Sequence, residues 1–432
     1  MRGSFDGLIR GAMLVDGSGP WDVGFAGGRI VAIEPGIDSD APAFEANGGL
    51  VCSGLVESHI HLDKAGILGR CQLCAGTLAE AIGETARAKQ AFTVEDVHAR
   101  ARSVVERAIT HGTTRMRSFV EVDPRAGFRS LEAISRIRRE FAWAIEIEIC
   151  AFAQDGLTND PGTEAMLERA LAGDAQLVGG CPYTDSDPPA HIRHIFDLAQ
   201  RHDVAVDFHL DFDLEPGEAL LPMVIEETER RGWGGRVSVG HVTKLSVLPP
   251  AELLAIGRRL ADAGIGVTVL PATDLYLMGR DASHRVPRGL TPAHRLAELG
   301  VITSVASNNV LNPFTPFGDA SLVRMANLYA TAAQVGTAAG LGQVFRMISS
   351  DAARLLGASP ARVAVGEPAD LVVFAAGSAP AVIAEIAPAL AGWKDGRASF
   401  LRPAPQLFAP SGAVPADALG AVTRRGSSPR PL

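Results

Sequence analysis

Short apolar runs alternate with long helical stretches over most of this chain of 432 residues. Between residue 51 and about residue 357, each run of aliphatic residues is followed by a stretch rich in Ala, Arg, Glu and Leu. The runs are interpreted as strands near 51–56 and at 113–122, 144–153, 176–180, 204–210, 237–241, 266–270 and 302–306. Eight strands alternating with helices predict an α/β fold, a (β/α)₈ barrel of the TIM type.

The segments on either side of this region follow another pattern. Residues 1–50 contain short apolar runs separated by turns, which is typical of antiparallel strands. Residues 358–410 return to that pattern. We therefore expect the two terminal segments to form one small β-sandwich beside the barrel at residues 51–357. Residues 411–432 are rich in Pro, Ser and Arg and are expected to be disordered.

Charge and composition narrow the classes of partner. The formal net charge of -9 argues against a nucleic acid as the partner. No stretch is long and apolar enough to span a membrane, and the N-terminus lacks the apolar region of a signal peptide. We therefore expect a cytoplasmic protein with no membrane partner. The five cysteines are scattered and odd in number, which fits reduced thiols.

The first barrel strand leads into two histidines one residue apart, His59 and His61. Residues i and i+2 of a strand point to the same side, so the two imidazoles share a face. Two such imidazoles suit a divalent transition metal. A His-X-His pair without other signals, however, more often consists of histidines with no role in metal binding. The active sites of these barrels lie where strands end. His209 and His241 also end predicted strands, which makes the metal interpretation the better one.

The chain resembles the amidohydrolase superfamily, in particular the branch of cytosine deaminase and N-isopropylammelide isopropylaminohydrolase. The resemblance runs over nearly the whole length. The motifs that carry it are His59-Ile60-His61-Leu62-Asp63-Lys64, Ala151-Phe152-Ala153-Gln154, Phe208-His209-Leu210-Asp211, Gly240-His241, Leu277-Met278-Gly279-Arg280, Pro313-Phe314-Thr315-Pro316-Phe317-Gly318 and Gly366-Glu367-Pro368-Ala369-Asp370-Leu371-Val372-Val373.

The resemblance implies one divalent ion, Zn or Fe, held by His59, His61 and His209. It also implies that His241 polarises the water or the leaving group and that Gln154 hydrogen-bonds the substrate ring. No lysine ends strand 4, so the bridging lysine of binuclear relatives is absent and a mononuclear site is expected. A metal lowers the pKa of its bound water to about 7, which supplies a hydroxide nucleophile at neutral pH.

Two positions depart from the family pattern. The family has a metal-binding, proton-accepting aspartate after strand 8, where this chain has Asn308, whose amide cannot act as a base. Cytosine deaminase has a glutamate three residues after the strand-5 histidine, where this chain has Phe212. Asp211 and Asp213 flank Phe212, and either is a candidate for the missing base. The alternative is that both are loop carboxylates that cap the next helix.

Other residues near the strand ends are candidates for contact with substrate. Phe314 is expected to pack against a flat ligand, the alternative being a simple hydrophobic residue at the rim. Asn309 and Phe212 are further candidates on the substrate side. Asp63 is interpreted as a residue that orients a histidine, and Lys64 as a charge on the barrel rim.

Two classes of function remain open. The first is a metal-dependent hydrolase, acting on C–N bonds other than peptide bonds, that removes an amine from a small nitrogen heterocycle or opens a C–N bond in it. The second is a diverged relative that keeps the barrel for ligand binding or for non-hydrolytic chemistry. The four histidines and Gln154 favour the first, and Asn308 favours the second. In both cases the partner is a small heterocyclic molecule, and we expect a homo-oligomer.

Overall fold

The computed structural model describes residues 4–359, 362–403, 405 and 407, and eight parallel strands form its central sheet. The strands follow one another around the sheet in chain order, and an isolated bridge between Ile60 and Asn308 joins the last to the first. The predicted (β/α)₈ barrel is therefore confirmed in a nearly closed form. The barrel strands are β6 (Leu55–Ile60), β7 (Thr113–Glu121), β8 (Glu146–Ala153), β9 (Leu177–Gly180), β10 (Ala205–Leu210), β11 (Val237–His241), β12 (Ile265–Val269) and β13 (Thr303–Val305).

Helices connect and cover these strands, and several begin at side chains suited to capping. Thr77 and Thr93 each accept a backbone N–H of the first turn that follows them, and so does Asp187. The helices are α1 (Leu78–Lys89), α2 (Val94–Thr110), α3 (Arg129–Glu140), α4 (Thr163–Leu171), α5 (Pro188–His202), α6 (Leu221–Arg231), α7 (Pro250–Asp262), α8 (Pro271–Leu277), α9 (Ala293–Glu298), α10 (Leu322–Ala332), α11 (Ala338–Arg346), α12 (Ser350–Leu355) and α13 (Ala379–Glu385).

The terminal segments form two four-stranded sheets that share one core, as expected. Phe25 of the first sheet packs against Trp393 of the second, with ring centroids 6.1 Å apart. The first sheet has the order β3-β2-β1-β4 and contains β1 (Gly7–Ala12), β2 (Trp21–Ala26), β3 (Arg29–Glu34) and β4 (Ala43–Glu45). The second has the order β16-β15-β14-β5 and contains β5 (Leu50–Ser53), β14 (Leu371–Phe374), β15 (Ala389–Lys394) and β16 (Arg397–Leu401).

The apolar run predicted as the first barrel strand divides between the two structures. Leu50–Ser53 pairs antiparallel with Leu371–Phe374 in the small sheet, and the barrel strand is Leu55–Ile60. Gly54 separates them, and a Cβ there would lie 2.0 Å from Oγ1 of Thr114. The prediction of a barrel strand near 51–56 was wrong in its bounds, because one buried run can serve two sheets without any change in its hydrophobic pattern.

Three other predictions concern the periphery. The tail at 411–432 lies outside the described residues. All five cysteines, which the structure does describe, are unpaired. Within the described ranges, no helix combines the length and apolarity needed to cross a membrane.

Candidate metal and substrate site

Three imidazoles converge at the carboxyl end of the barrel strands. His59 lies in β6, His61 follows that strand, and His209 lies in β10. The Nε2 of His209 is 3.0 Å from the Nε2 of His59 and 2.9 Å from the Nε2 of His61. All three side chains are buried. We call these three residues the metal-side histidines.

The metal-side histidines fit a divalent ion. Burial lowers the pKa of each imidazole well below its ordinary value, so each ring is neutral and its Nε2 can offer a lone pair. The ligand nitrogens of the three residues all lie within 4.8 Å of one another, close enough for one ion to be held by all three. The three Nδ1 atoms are buried and have no hydrogen-bond partner among the described residues.

Aromatic packing holds these rings in place. Phe119 stacks on His59 with ring centroids 3.9 Å apart, and Phe152 lies against His209 at 4.3 Å. On another side of His59, a Cβ at Gly240 would come within 3.0 Å of Cε1. The position of the cluster therefore depends on buried contacts and on the small size of residue 240.

His241 is held by a carboxylate instead. It ends β11 with a left-handed backbone (φ +70°), a conformation uncommon outside glycine. Its Nδ1 is 2.6 Å from Oδ1 of Asp274, in the first turn of α8. The other oxygen of Asp274 accepts the N–H of Leu270 at 3.2 Å. Burial raises the pKa of the Asp274 carboxyl, although His241 beside it acts in the opposite direction.

Asn308 lies at the seam where the barrel closes. Its N–H donates to the carbonyl of His59, and its own carbonyl accepts the N–H of His61, both at 2.8 Å. Its Nδ2 donates to Oγ1 of Thr273 at 3.0 Å and lies 3.5 Å from Nε2 of His241. Its Oδ1 is buried and has no partner within the described chain.

Glu57 links the two sides of this seam. Its carboxylate accepts the N–H of His59 at 3.2 Å and the N–H of Ser307 at 3.1 Å. Burial raises the pKa of Glu57 to about 7, although hydrogen bonds from Ser307 lower it. The backbone that carries two metal-side histidines is thereby fixed to the segment after β13 that carries Asn308.

Lys64 is not the rim charge that the sequence suggested. It is 1% exposed, and its Nζ lies 2.7 Å from Oε1 of both Glu121 and Gln154. Because an ammonium group only donates, the Gln154 atom that faces it must be the oxygen. Gln154 keeps its Nε2 for other partners, with Sγ of Cys181 at 3.5 Å. Lys64 also lies 5.1 Å from the ring centroid of Phe314.

The two aspartates proposed as substitute bases engage other groups. Asp211 accepts the N–H groups of Leu220 and Leu221, at 2.8 and 3.1 Å, where α6 begins. Asp213 is half exposed, and its Oδ2 lies 3.2 Å from Nζ of Lys244. The contacts of Asp211 correspond to the helix-capping alternative. The role of either residue as a base stays a prediction.

A narrow cavity brings most of the predicted residues together. Phe212 stacks near His241 with ring centroids 4.0 Å apart, and Asn309 is anchored by Asn312 at 2.7 Å. The cavity is lined by His61, Lys64, Gln154, Tyr183, His209, Phe212, His241, Thr273, Asn308, Asn309 and Phe314. His59 lies behind this wall, and Asp211 and Asp213 are not part of it.

Several contributors escaped the sequence analysis. Asp274 lies in the first turn of α8, directly after β12, and the position of an acidic residue so soon after a predicted strand end is the signal that could have found it. The charge of Lys64 is balanced by Glu121, which is distant in sequence and gives no local signal. Asp63 accepts the backbone N–H groups of Lys64 and Glu121, so its interpretation as a residue orienting a histidine was wrong.

Comparison with known proteins gives concordant matches. The model of the Amidohydrolase family matches residues 50–398. The N-isopropylammelide isopropyl amidohydrolase of Pseudomonas sp. strain ADP is 29% identical over 410 residues, covering 92% of this chain and 98% of that protein. The pterin deaminase of Rhizobium rhizogenes strain K84 is 29% identical over 362 residues, 82% of each chain.

A solved structure matches equally far along the chain. The crystal structure of 5-methylcytosine deaminase from Klebsiella pneumoniae, liganded with 5-fluorocytosine, has 26% sequence identity and a TM-score of 0.89. The match covers 94% of this chain and 100% of that one.

Proposed function

The chain belongs to the amidohydrolase family, and on that premise we propose that it is a metal-dependent hydrolase of small nitrogen heterocycles. It removes an amine from the ring or opens a C–N bond in it. The observation that carries the proposal is that the Nε2 atoms of His59 and His61 both lie within 3.0 Å of the Nε2 of His209. One divalent ion, Zn or Fe, held by His59, His61 and His209 supplies, when bound, a water that ionises near neutral pH.

The substrate lies with a hydrogen-bond-accepting edge toward Lys64 and Gln154. Lys64 donates only, and it occupies the oxygen of Gln154, so both side chains offer N–H groups to a ligand. A ring carbonyl or an unprotonated ring nitrogen satisfies such donors. Phe314 and Phe212 supply apolar walls for a flat ring. The relatives named above are called after nitrogen heterocycles, which agrees with this chemistry.

His241 is the group best suited to accept a proton in the cavity. Its Nδ1 is bound to Asp274, and its Nε2 faces Asn308. The amide of Asn308 lies 3.5 Å from that atom and cannot take a proton. Asp211 and Asp213 keep their place as alternative bases only if their present contacts exchange for others.

The neutral side chain of Asn308 favours a second candidate, a relative that binds its ligand or rearranges it without hydrolysis. Asn308→Asp separates the two. We expect tighter metal retention in this variant, because it adds a carboxylate at the seam. A gain of activity on a simple aminopyrimidine or aminotriazine supports hydrolysis, and loss of the native reaction supports the second candidate. Unchanged metal affinity would show that residue 308 does not face the ion.

A direct experiment tests the main proposal. Purified protein is analysed for metal by mass spectrometry, loaded with zinc or iron, and screened against aminopyrimidines, aminotriazines, pterins and hydantoins for release of ammonia or amine. We expect about one ion per chain and turnover of at least one ring class. Absence of stoichiometric metal after loading, or of any turnover by the fully loaded protein, would overturn the proposal.

A further inference from the structure

We propose that Asp274 is a positioning residue that holds His241 with its proton on Nδ1 and its Nε2 lone pair directed into the cavity. The use of that lone pair on substrate rests on the proposed function. The placement of the proton does not, because it follows from hydrogen-bond geometry alone. Asp274 does not line the cavity, so it acts on a ligand only through His241.

The first support is the polarity of the contacts around Asp274. The N–H of Leu270 can only donate, and it points to Oδ2 of Asp274 at 3.2 Å. The remaining oxygen, Oδ1, lies 2.6 Å from Nδ1 of His241. An imidazole is intrinsically the more basic of the two groups, so the proton they share resides on Nδ1. The Nε2 atom is then the acceptor of the ring.

The second support comes from the other side of the ring. The Nδ2 of Asn308 lies 3.5 Å from Nε2 of His241 and donates to Oγ1 of Thr273 at 3.0 Å. An amide N–H directed at Nε2 is compatible with a lone pair there and incompatible with a second N–H. The orientation of Asn308 therefore agrees with the tautomer that the contacts of Asp274 set.

The charges around His241 give this pair its significance. Position 308 is neutral, and Asp274 is the acidic residue that hydrogen-bonds a cavity histidine within the described ranges. The negative charge of Asp274 thus stands behind the His241 ring and outside the lining of the cavity. A fully buried carboxylate in that position fixes the ring without occupying space needed by a ligand.

The variant Asp274→Asn is predicted to invert the tautomer of His241. The N–H of Leu270 must still face an oxygen, so the amide nitrogen of the new side chain faces Nδ1 of His241. Nδ1 then has to accept, and the proton moves to Nε2, where it meets the Nδ2 of Asn308. Adding Asn308→Asp in the same chain supplies an acceptor for that proton, so the double variant is expected to favour the Nε2–H tautomer more strongly.

The experiment uses ¹⁵N-histidine-labelled full-length protein, as purified and after zinc loading, with two-bond ¹H–¹⁵N correlation spectra of the rings. The signals of His241 are assigned by their loss in His241→Gln. We expect the Nδ1–H pattern in the natural protein and the Nε2–H pattern in Asp274→Asn. Asp185→Asn is the matched control, because Asp185 binds Nδ1 of His191 at 2.8 Å outside the cavity. It should change the signals of His191 and leave those of His241 in place.

The outcomes separate this inference from the proposed function. An Nε2–H pattern in the natural protein, or an unchanged pattern in folded Asp274→Asn, would overturn the inference. Once a substrate is known, Asp274→Asn should lower kcat by at least about 10²-fold, the scale of lost general-base catalysis, with little change in KM. An inverted tautomer with full kcat would support the positioning of His241 by Asp274 and overturn the catalytic role of His241.

Discussion

The metal-side histidines and His241 lie at one end of the barrel but are held in place in different ways. His59, His61 and His209 are packed among aromatic rings, and their Nδ1 atoms lack partners among the described residues. His241 has a carboxylate 2.6 Å from its Nδ1. The ring centroids of His209 and His241 are only 5.3 Å apart. The kind of support that a histidine receives therefore changes between two neighbouring rings.

The difference in surroundings shows how one residue type, histidine, can serve two tasks. Packing fixes where a ring lies but leaves open which nitrogen carries the proton, which is sufficient for a ligand that must be unprotonated at one known atom. A carboxylate fixes the tautomer and also stabilises the protonated ring. The first arrangement suits the binding of a cation, and the second suits the handling of protons.

The largest expected effect separates the two kinds of histidine. His61→Ala should abolish stoichiometric metal binding, because it removes one of three ligands from an open site. The matched variant His241→Ala should keep its metal and lose activity. Metal content by mass spectrometry, after loading and dialysis, measures both. An ion that survives His61→Ala at full stoichiometry would show that the assignment of ligands is wrong.

A smaller effect tests whether packing places the metal-side histidines. Phe119→Leu removes the ring stacked on His59, whereas Phe196→Leu changes a buried ring that packs on Phe208 outside the cavity. Both should lower the free energy of unfolding by about 1 kcal/mol. Only Phe119→Leu should weaken metal binding, by about 10-fold, as loss of a ligand's support does. Denaturant unfolding of metal-free protein and chelator competition measure the two effects, and equal metal affinities would contradict the role of packing.

The smallest effect is expected from the aspartates outside both groups. Asp211→Asn should cost about 1 kcal/mol of unfolding free energy, because the N–H groups of Leu220 and Leu221 bind different oxygens of Asp211 and an amide keeps only one of them. Neither Asp211→Asn nor Asp213→Asn should lower kcat by the factor of about 10²-fold that marks a lost base. Steady-state kinetics at saturating metal checks this. A loss of that size in either variant would restore the substitute-base hypothesis drawn from the sequence.

The barrel and its three metal-side histidines could be predicted because their signals are local. An apolar run that leads into His59 and His61 indicates both a strand and a metal-binding function. His209 and His241 repeat the pattern at other strand ends. The amidohydrolase resemblance, carried by the same motifs, is confirmed by the match over residues 50–398. The histidines that end barrel strands could therefore be predicted from the order of the strands along the chain.

The remaining contacts depend on distances that the sequence does not contain. Asp274 and His241 are 33 positions apart, and the pairing of β11 with β12 brings the carboxylate in α8 next to the histidine that ends β11. Lys64 is buried because Glu121 balances its charge from the neighbouring strand. The division of the apolar run at Gly54 was missed because both halves are equally buried.

That division at Gly54 has a consequence for the order of biosynthesis. The segment Leu50–Ser53 is made early, but its partner Leu371–Phe374 is among the last parts of the described chain to leave the ribosome. The strand after Gly54 likewise waits for Asn308 before its other edge is bridged. The first two metal-side histidines are therefore translated long before their strand is bridged along both edges. A nascent chain interrupted before residue 371 has all its metal-side histidines and still lacks the sheet that steadies the strand on which two of them depend.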